Sequence, residues 1–101
     1  MAEVLTIEEL RTRIDVIDEQ LLRLLNVRVA CAVEVGRLKH EAGLPIYQPE
    51  REAQVLGKVR QSANVLSGPL TAEAVVRIFE RVIDEARRAE REASSRRDDL
   101  A

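Results

Sequence analysis

Apolar residues recur three and four positions apart through the first part of the chain. They are Ile7, Leu10, Ile14, Ile17, Leu21, Leu24, Cys31, Val35 and Leu38, and Arg28 is the one charged member of the series. Such a stripe stays on one face only if the backbone is helical, and its alternating spacing is that of a heptad seam. It predicts one helix from Thr6 to Glu41, ~50 Å long at ~1.5 Å per residue. Thr6, with Glu9 three residues on, makes a capping box at its start; Gly43 and then Pro45 stop it. A second helix opens at Pro49, whose fixed φ suits the first helical position. It carries Ala53, Val55, Leu56 and Val59 and ends before "QSANVLSGP", which reads as a loop. A third opens with Thr71 as N-cap and places Val75, Phe79, Val82, Ala86 and Ala93 on one face, with Ile78 and Ile83 beside them.

No segment alternates with the period of a strand, and no repeat is present. The fold class is therefore all-α, with one long, one short and one medium helix in a domain over 1–93. The polar residues 94–101 read as a frayed tail. A helix of ~50 Å outruns a domain of about 100 residues, whose radius of gyration is about 13 Å. Much of the seam then lacks cover in its own chain. A second copy is the expected cover, which gives an intertwined helical homodimer.

Composition narrows the choice of function. Charged residues make up 34% of the 101, hydrophobic ones 46%, and Tyr47 and Phe79 are the only aromatics. The core is therefore aliphatic. Sixteen basic residues face eighteen acidic ones, for a formal charge of -2. No basic, aromatic-interleaved patch suggests nucleic acid. No apolar run is long enough for a membrane span, and the N-terminus does not read as a secretory signal. With one cysteine and no internal disulfide possible, the expected compartment is the cytoplasm. Cys31 and His40 are the only residues of their kinds, so neither a metal site nor a Cys–His catalytic pair is expected. The four glycines are scattered and form no phosphate loop.

The misplaced charges point to a site. Arg28 lies on the seam, and Arg11 and Lys39 each lie one residue past a seam position. A charge on a buried face is costly unless it is paired or meets a ligand. Arg28 and Lys39 are about three turns and ~16 Å apart on one face, close enough for two long side chains to hold a small anion. Arg11 is ~25 Å from Arg28 along the helix, out of reach. If two such helices pair antiparallel in full overlap, Arg11 of one chain falls between Arg28 and Lys39 of the other. Arg51 and Glu52 add a cation and a carboxylate in the first turn of the second helix, where free backbone N–H groups already favour anions. Such a site suits a small polyanion that carries a hydroxyl.

The strings "LRTRIDVIDEQLLRLLNVR", "VEVGRLK" and "PIYQPERE" carry a family resemblance. From Leu5 to Glu90 the chain closely resembles the AroQ-type, all-helical chorismate mutases. The resemblance implies a dimer with swapped long helices that converts chorismate to prephenate, a Claisen rearrangement in phenylalanine and tyrosine synthesis. It needs no cofactor or metal. By the family pattern, Arg11 of one protomer and Arg28 of the other hold the substrate carboxylates. Lys39 meets a carboxylate and the ether oxygen, Arg51 supports the carboxylate site, and Glu52 accepts the ring hydroxyl. Glu90 donates to the ether oxygen when protonated.

Three positions depart from the common pattern. Gln48 replaces an Asp and is the weaker helix cap, though its backbone N–H can still meet substrate. Ala86 replaces a frequent Ser and so lacks a hydroxyl donor. Glu90 stands where Gln is common. The competing readings are an isochorismate-pyruvate lyase on the same fold, and a non-catalytic helical regulatory or partner domain that binds an aromatic-pathway metabolite or another shikimate-pathway enzyme. Residue by residue, Arg28 alone would suit a structural ion pair, Lys39 a helix-end charge, and Arg51 with Glu52 a solvated face. Cys31 reads as core, and His40, Arg96 and Arg97 as exposed.

Overall fold

The structure is a computed structural model that describes residues 4–100; residues 1–3 and 101, at the ends of the expected domain and tail, lie outside the described residues. Three helices follow one another, α1 (Ile7–Glu41), α2 (Pro49–Val65) and α3 (Ala72–Leu100). There is no strand among the described residues. The capping box forms at the start of α1: Thr6 Oγ1 accepts from the Glu9 amide at 3.1 Å, and the Thr6 amide donates to Glu9 Oε2 at 2.9 Å. At its end Gly43 takes φ +73°, the left-handed conformation that glycine tolerates. The amide of Leu44 then closes on the Lys39 carbonyl at 2.8 Å.

Two boundaries differ from those expected. α2 continues through "QSANV", because Gln61 and Ala63 are good helix formers. Ala63 also extends the half-buried stripe of Glu52, Val55, Leu56 and Val59. The run ends at Val65, where Leu66 turns extended ahead of Gly68 and Pro69. α3 continues to Leu100, so the supposed frayed tail is helical over 94–100. Its Ala93, Ser94 and Arg97 are half-buried on the same face as Ala86 and Glu90. Arg97 is thus not the fully exposed residue expected; the Arg37 hydrogen bond holds the Glu34 carboxyl below its ordinary value, and the Arg97 charge adds a smaller pull.

α3 packs against both α1 and α2, which do not pack on each other. Two small residues, Gly36 on α1 and Ala86 on α3, are the only fully buried ones among those described. Arg60 and Glu73, 3.0 Å apart, tie the end of α2 to the start of α3. Every residue of α1 from Ile7 to Val27 is exposed, so most of the seam projects beyond the other helices. Ile14, Leu21 and Leu24 are 53%, 52% and 66% exposed. The radius of gyration is 17.8 Å. The accessible surface is 8224 Å², against about 5,800 Å² for a monomer of this mass. No helix among the described residues is long and apolar enough to cross a membrane.

Candidate active site

The C-terminal part of α1, the corner before α2, the first turns of α2 and the middle of α3 enclose a cavity of ≈ 280 Å³. Arg28 and Lys39 reach it from α1, Arg51 and Glu52 from α2, and Ala86 and Glu90 from α3, with Gln48 at the corner. Seven of the eight residues expected from sequence therefore meet in one place. Arg11 does not. Its side chain is 70% exposed and paired with Glu8 at 3.2 Å, on the projecting part of α1. It faces no buried side within its own chain.

Each element sets its side chain for a local reason. The heptad seam turns Arg28 inward, where it is half-buried and has no ion-pair or hydrogen-bond partner among the described residues of its own chain. Lys39 stands in the last turn of α1, and its Nζ donates to the Ile46 carbonyl at 3.1 Å. That bond folds the corner back over the cavity. Gln48 is the N-cap of α2 but makes no side-chain capping bond, as its amide predicts. Its carbonyl still accepts from the amides of Arg51 and Glu52, each at 3.2 Å. Arg51 Nη1 rests on Gln54 Oε1 at 2.6 Å and is largely exposed. Cys31, expected in a core, is exposed in this chain and lines the cavity. His40 is exposed, as expected.

Arg87 also lines the cavity and was not foreseen. Its guanidinium pairs with Glu52 and lies 4.8 Å from the centre of the Tyr47 ring. The signal for it was present: Arg87 follows Ile83 by one turn and precedes Glu90 by three residues, so it shares their face.

Glu90 is the least comfortable group. Its Oε2 is buried without a hydrogen-bond partner. Desolvation pushes its pKa above the ordinary carboxylate value; the charges of Lys39 and Arg87 oppose the rise, and that of Glu52 adds to it. The cavity thus joins four cations and one carboxylate to a second carboxyl whose charged form burial disfavours. Val35, Val55 and Ile83 supply apolar wall. Such a site can grip a small dianion and direct donors at a chosen oxygen. Among the described residues no cluster of three His, Cys, Asp or Glu side chains is placed to hold a metal ion.

The model of the family "Chorismate mutase type II" matches residues 10–91. A bifunctional chorismate mutase/prephenate dehydratase of Aquifex aeolicus is 44% identical over 78 residues, covering 76% of this chain and 22% of its own length. The chain thus spans about a fifth of that relative. A chorismate mutase of Methanocaldococcus jannaschii is 38% identical over 53 residues, which is 52% of this chain and 54% of that one. Among solved structures, a chorismate mutase of Thermus thermophilus superposes with a TM-score of 0.78 at 32% identity, covering 84% of this chain and 93% of that one. One from Helicobacter pylori, in complex with prephenate, gives 0.76 at 29% identity, covering 88% and 93%.

Proposed function

This chain belongs to the chorismate mutase type II family, and from that premise we propose that it rearranges chorismate to prephenate. One observation carries the reading: Arg28, Lys39 and Arg51 converge with Glu52 and Glu90 on a single cavity with apolar walls. Chorismate carries two carboxylates, a ring hydroxyl and an enolpyruvyl ether, and each finds a complementary group there. In the concerted rearrangement the ether C–O bond breaks ahead of C–C bond formation. Negative charge therefore grows on the ether oxygen, and no nucleophile has to attack. The protein's task is to hold the folded conformer and stabilise that oxygen.

In this assignment Arg28 and Arg51 hold carboxylates, and Glu52 accepts from the ring hydroxyl. Lys39 Nζ donates to the ether oxygen, and the Glu90 carboxyl does so when protonated. Gln48 contributes its backbone N–H, and Ala86 shapes the wall without donating. The working unit is an intertwined homodimer in which Arg11 of the partner completes each cavity. The exposed seam of α1 supports this, as does a surface some 2,400 Å² larger than that of a compact monomer, on the scale an obligate interface removes.

The test is the loss of chorismate absorbance with wild type and Lys39→Ala, with prephenate identified as product. Prephenate formation by wild type is expected, and a roughly 10²–10³-fold lower kcat in the variant, the usual cost of one preorganised donor. A wild-type chain that leaves chorismate unchanged would refute the assignment.

A further inference from the structure

Two small residues mark the α1–α3 crossing, and Glu90 stands one turn beyond one of them. Gly36 is fully buried on α1 in an ordinary helical conformation, so its backbone does not require glycine. Its surroundings do. A methyl group at position 36 would stand 3.2 Å from Glu90 Oε2, 3.3 Å from its Cγ and 3.5 Å from its Cβ. The first two are tighter than ordinary van der Waals contact, and relief means moving the carboxyl. The crowded oxygen is also the one buried without a hydrogen-bond partner.

We propose that Gly36 is a positioning residue for Glu90: the missing side chain lets α3 close on α1 and seats the Glu90 carboxyl against the bare backbone, inside the cavity. The role rests on the mutase reading given above. Without that seat the carboxyl swings toward solvent and away from where a substrate ether oxygen would lie. The charged groups that act on it are Lys39 from α1, Glu52 from α2 and Arg87 on its own helix, and Arg28 and Arg51 line the same cavity. Displacement changes its distance from all of them, so geometry and proton affinity shift together.

The test compares wild type, Gly36→Ala, Glu90→Ala and the double variant. Two readouts are the carbon-13 NMR titration of the Glu90 carboxyl and the kinetics of chorismate loss. Ala is the better helix former, so Gly36→Ala is expected to fold. The Glu90 midpoint should fall toward the ordinary value, kcat should drop about tenfold, and KM should change little, since misplacement by tenths of an ångström acts on the reacting geometry. In the Glu90→Ala background the same change should cost nothing more, because only the ordinary contact to Cβ remains. An unchanged midpoint and kcat would overturn the proposal. So would equal losses in both backgrounds, which would mean that Gly36 serves the helix crossing in general. Should Gly36→Ala fail to fold, recovery of the fold in the double variant supports the steric link, and failure in both refutes it. If wild type makes no prephenate, the functional reading falls, and the titration alone decides the role of Gly36.

Discussion

Replacing Glu90 by Gln should make the protein a better catalyst at high pH. The carboxyl sits where burial disfavours its charge, and the opposing fields of Lys39 and Arg87 do not reverse the sign. Its folded pKa therefore lies above the ordinary glutamate value of about 4.3. Only the neutral form can donate to the ether oxygen, and the ionised form repels the charge that grows there. Above the midpoint the neutral fraction falls about tenfold per pH unit, so log kcat should descend with a slope near −1. Gln is nearly isosteric and donates at every pH. The ratio of variant to wild-type kcat should then approach one below the midpoint and climb about tenfold per unit beyond it.

The assay is initial-rate loss of chorismate from pH 5 to 8 at constant ionic strength, because salt screens the neighbouring charges. The kcat limb should lie at higher pH than the kcat/KM limb, since a bound dianion makes ionisation of Glu90 harder. Stability provides an independent check of sign. The folded state holds the Glu90 proton more tightly than the unfolded chain does. This contribution is therefore complete below about pH 4.3 and is lost as pH rises through the folded value. The Gln variant should lack that decline. A wild-type rate constant across the range, or a Gln variant with the same descending limb, would refute the role of Glu90 as a neutral donor.

Other outcomes follow from the same geometry. Arg11→Ala and Arg28→Ala should each be nearly inactive, yet an equimolar mixture refolded together should regain about a quarter of wild-type activity. Half of the dimers are then mixed, and each has one intact site; no recovery would place Arg11 and Arg28 in the same chain's site. Leu21→Glu, in the exposed seam, should yield a species near 11.4 kDa rather than twice that mass by sedimentation, with loss of activity. Gln48→Asp should restore the missing N-cap of α2 and stabilise the protein by about 0.5–2 kcal/mol in denaturant titration. Arg87→Ala should free Glu52 and uncover Tyr47, raising KM for chorismate more than it lowers kcat.

What the sequence disclosed follows from how local each signal is. α1 was legible nearly to the residue because a heptad seam, a capping box and a Gly–Pro stop are all encoded within a few positions. The ends of α2 and α3 were not. There, polar residues resemble loop chemistry until a neighbouring helix is seen to half-bury every third or fourth of them, as it does Ala63 and Arg97. Seven residues that line the cavity could be named in advance because a charge on an apolar seam or at a corner is conspicuous, or because a family pattern marks it. Arg87 and Gly36 were missed for opposite reasons. Arg87 is one more arginine on an arginine-rich helix, and its partner Glu52 is distant in sequence. Gly36 acts through an absent side chain, so its meaning exists only when Glu90 is brought against it. Arg11 is the converse case: its spacing marks it, yet one folded chain leaves it in solvent on a projecting helix. In the proposed homodimer, symmetry would complete a site whose cations are divided between the buried and the projecting parts of one helix. Assembly and chemistry would then be coupled, because separating the chains would remove the proposed carboxylate-binding Arg11 from each cavity while leaving its other groups in place.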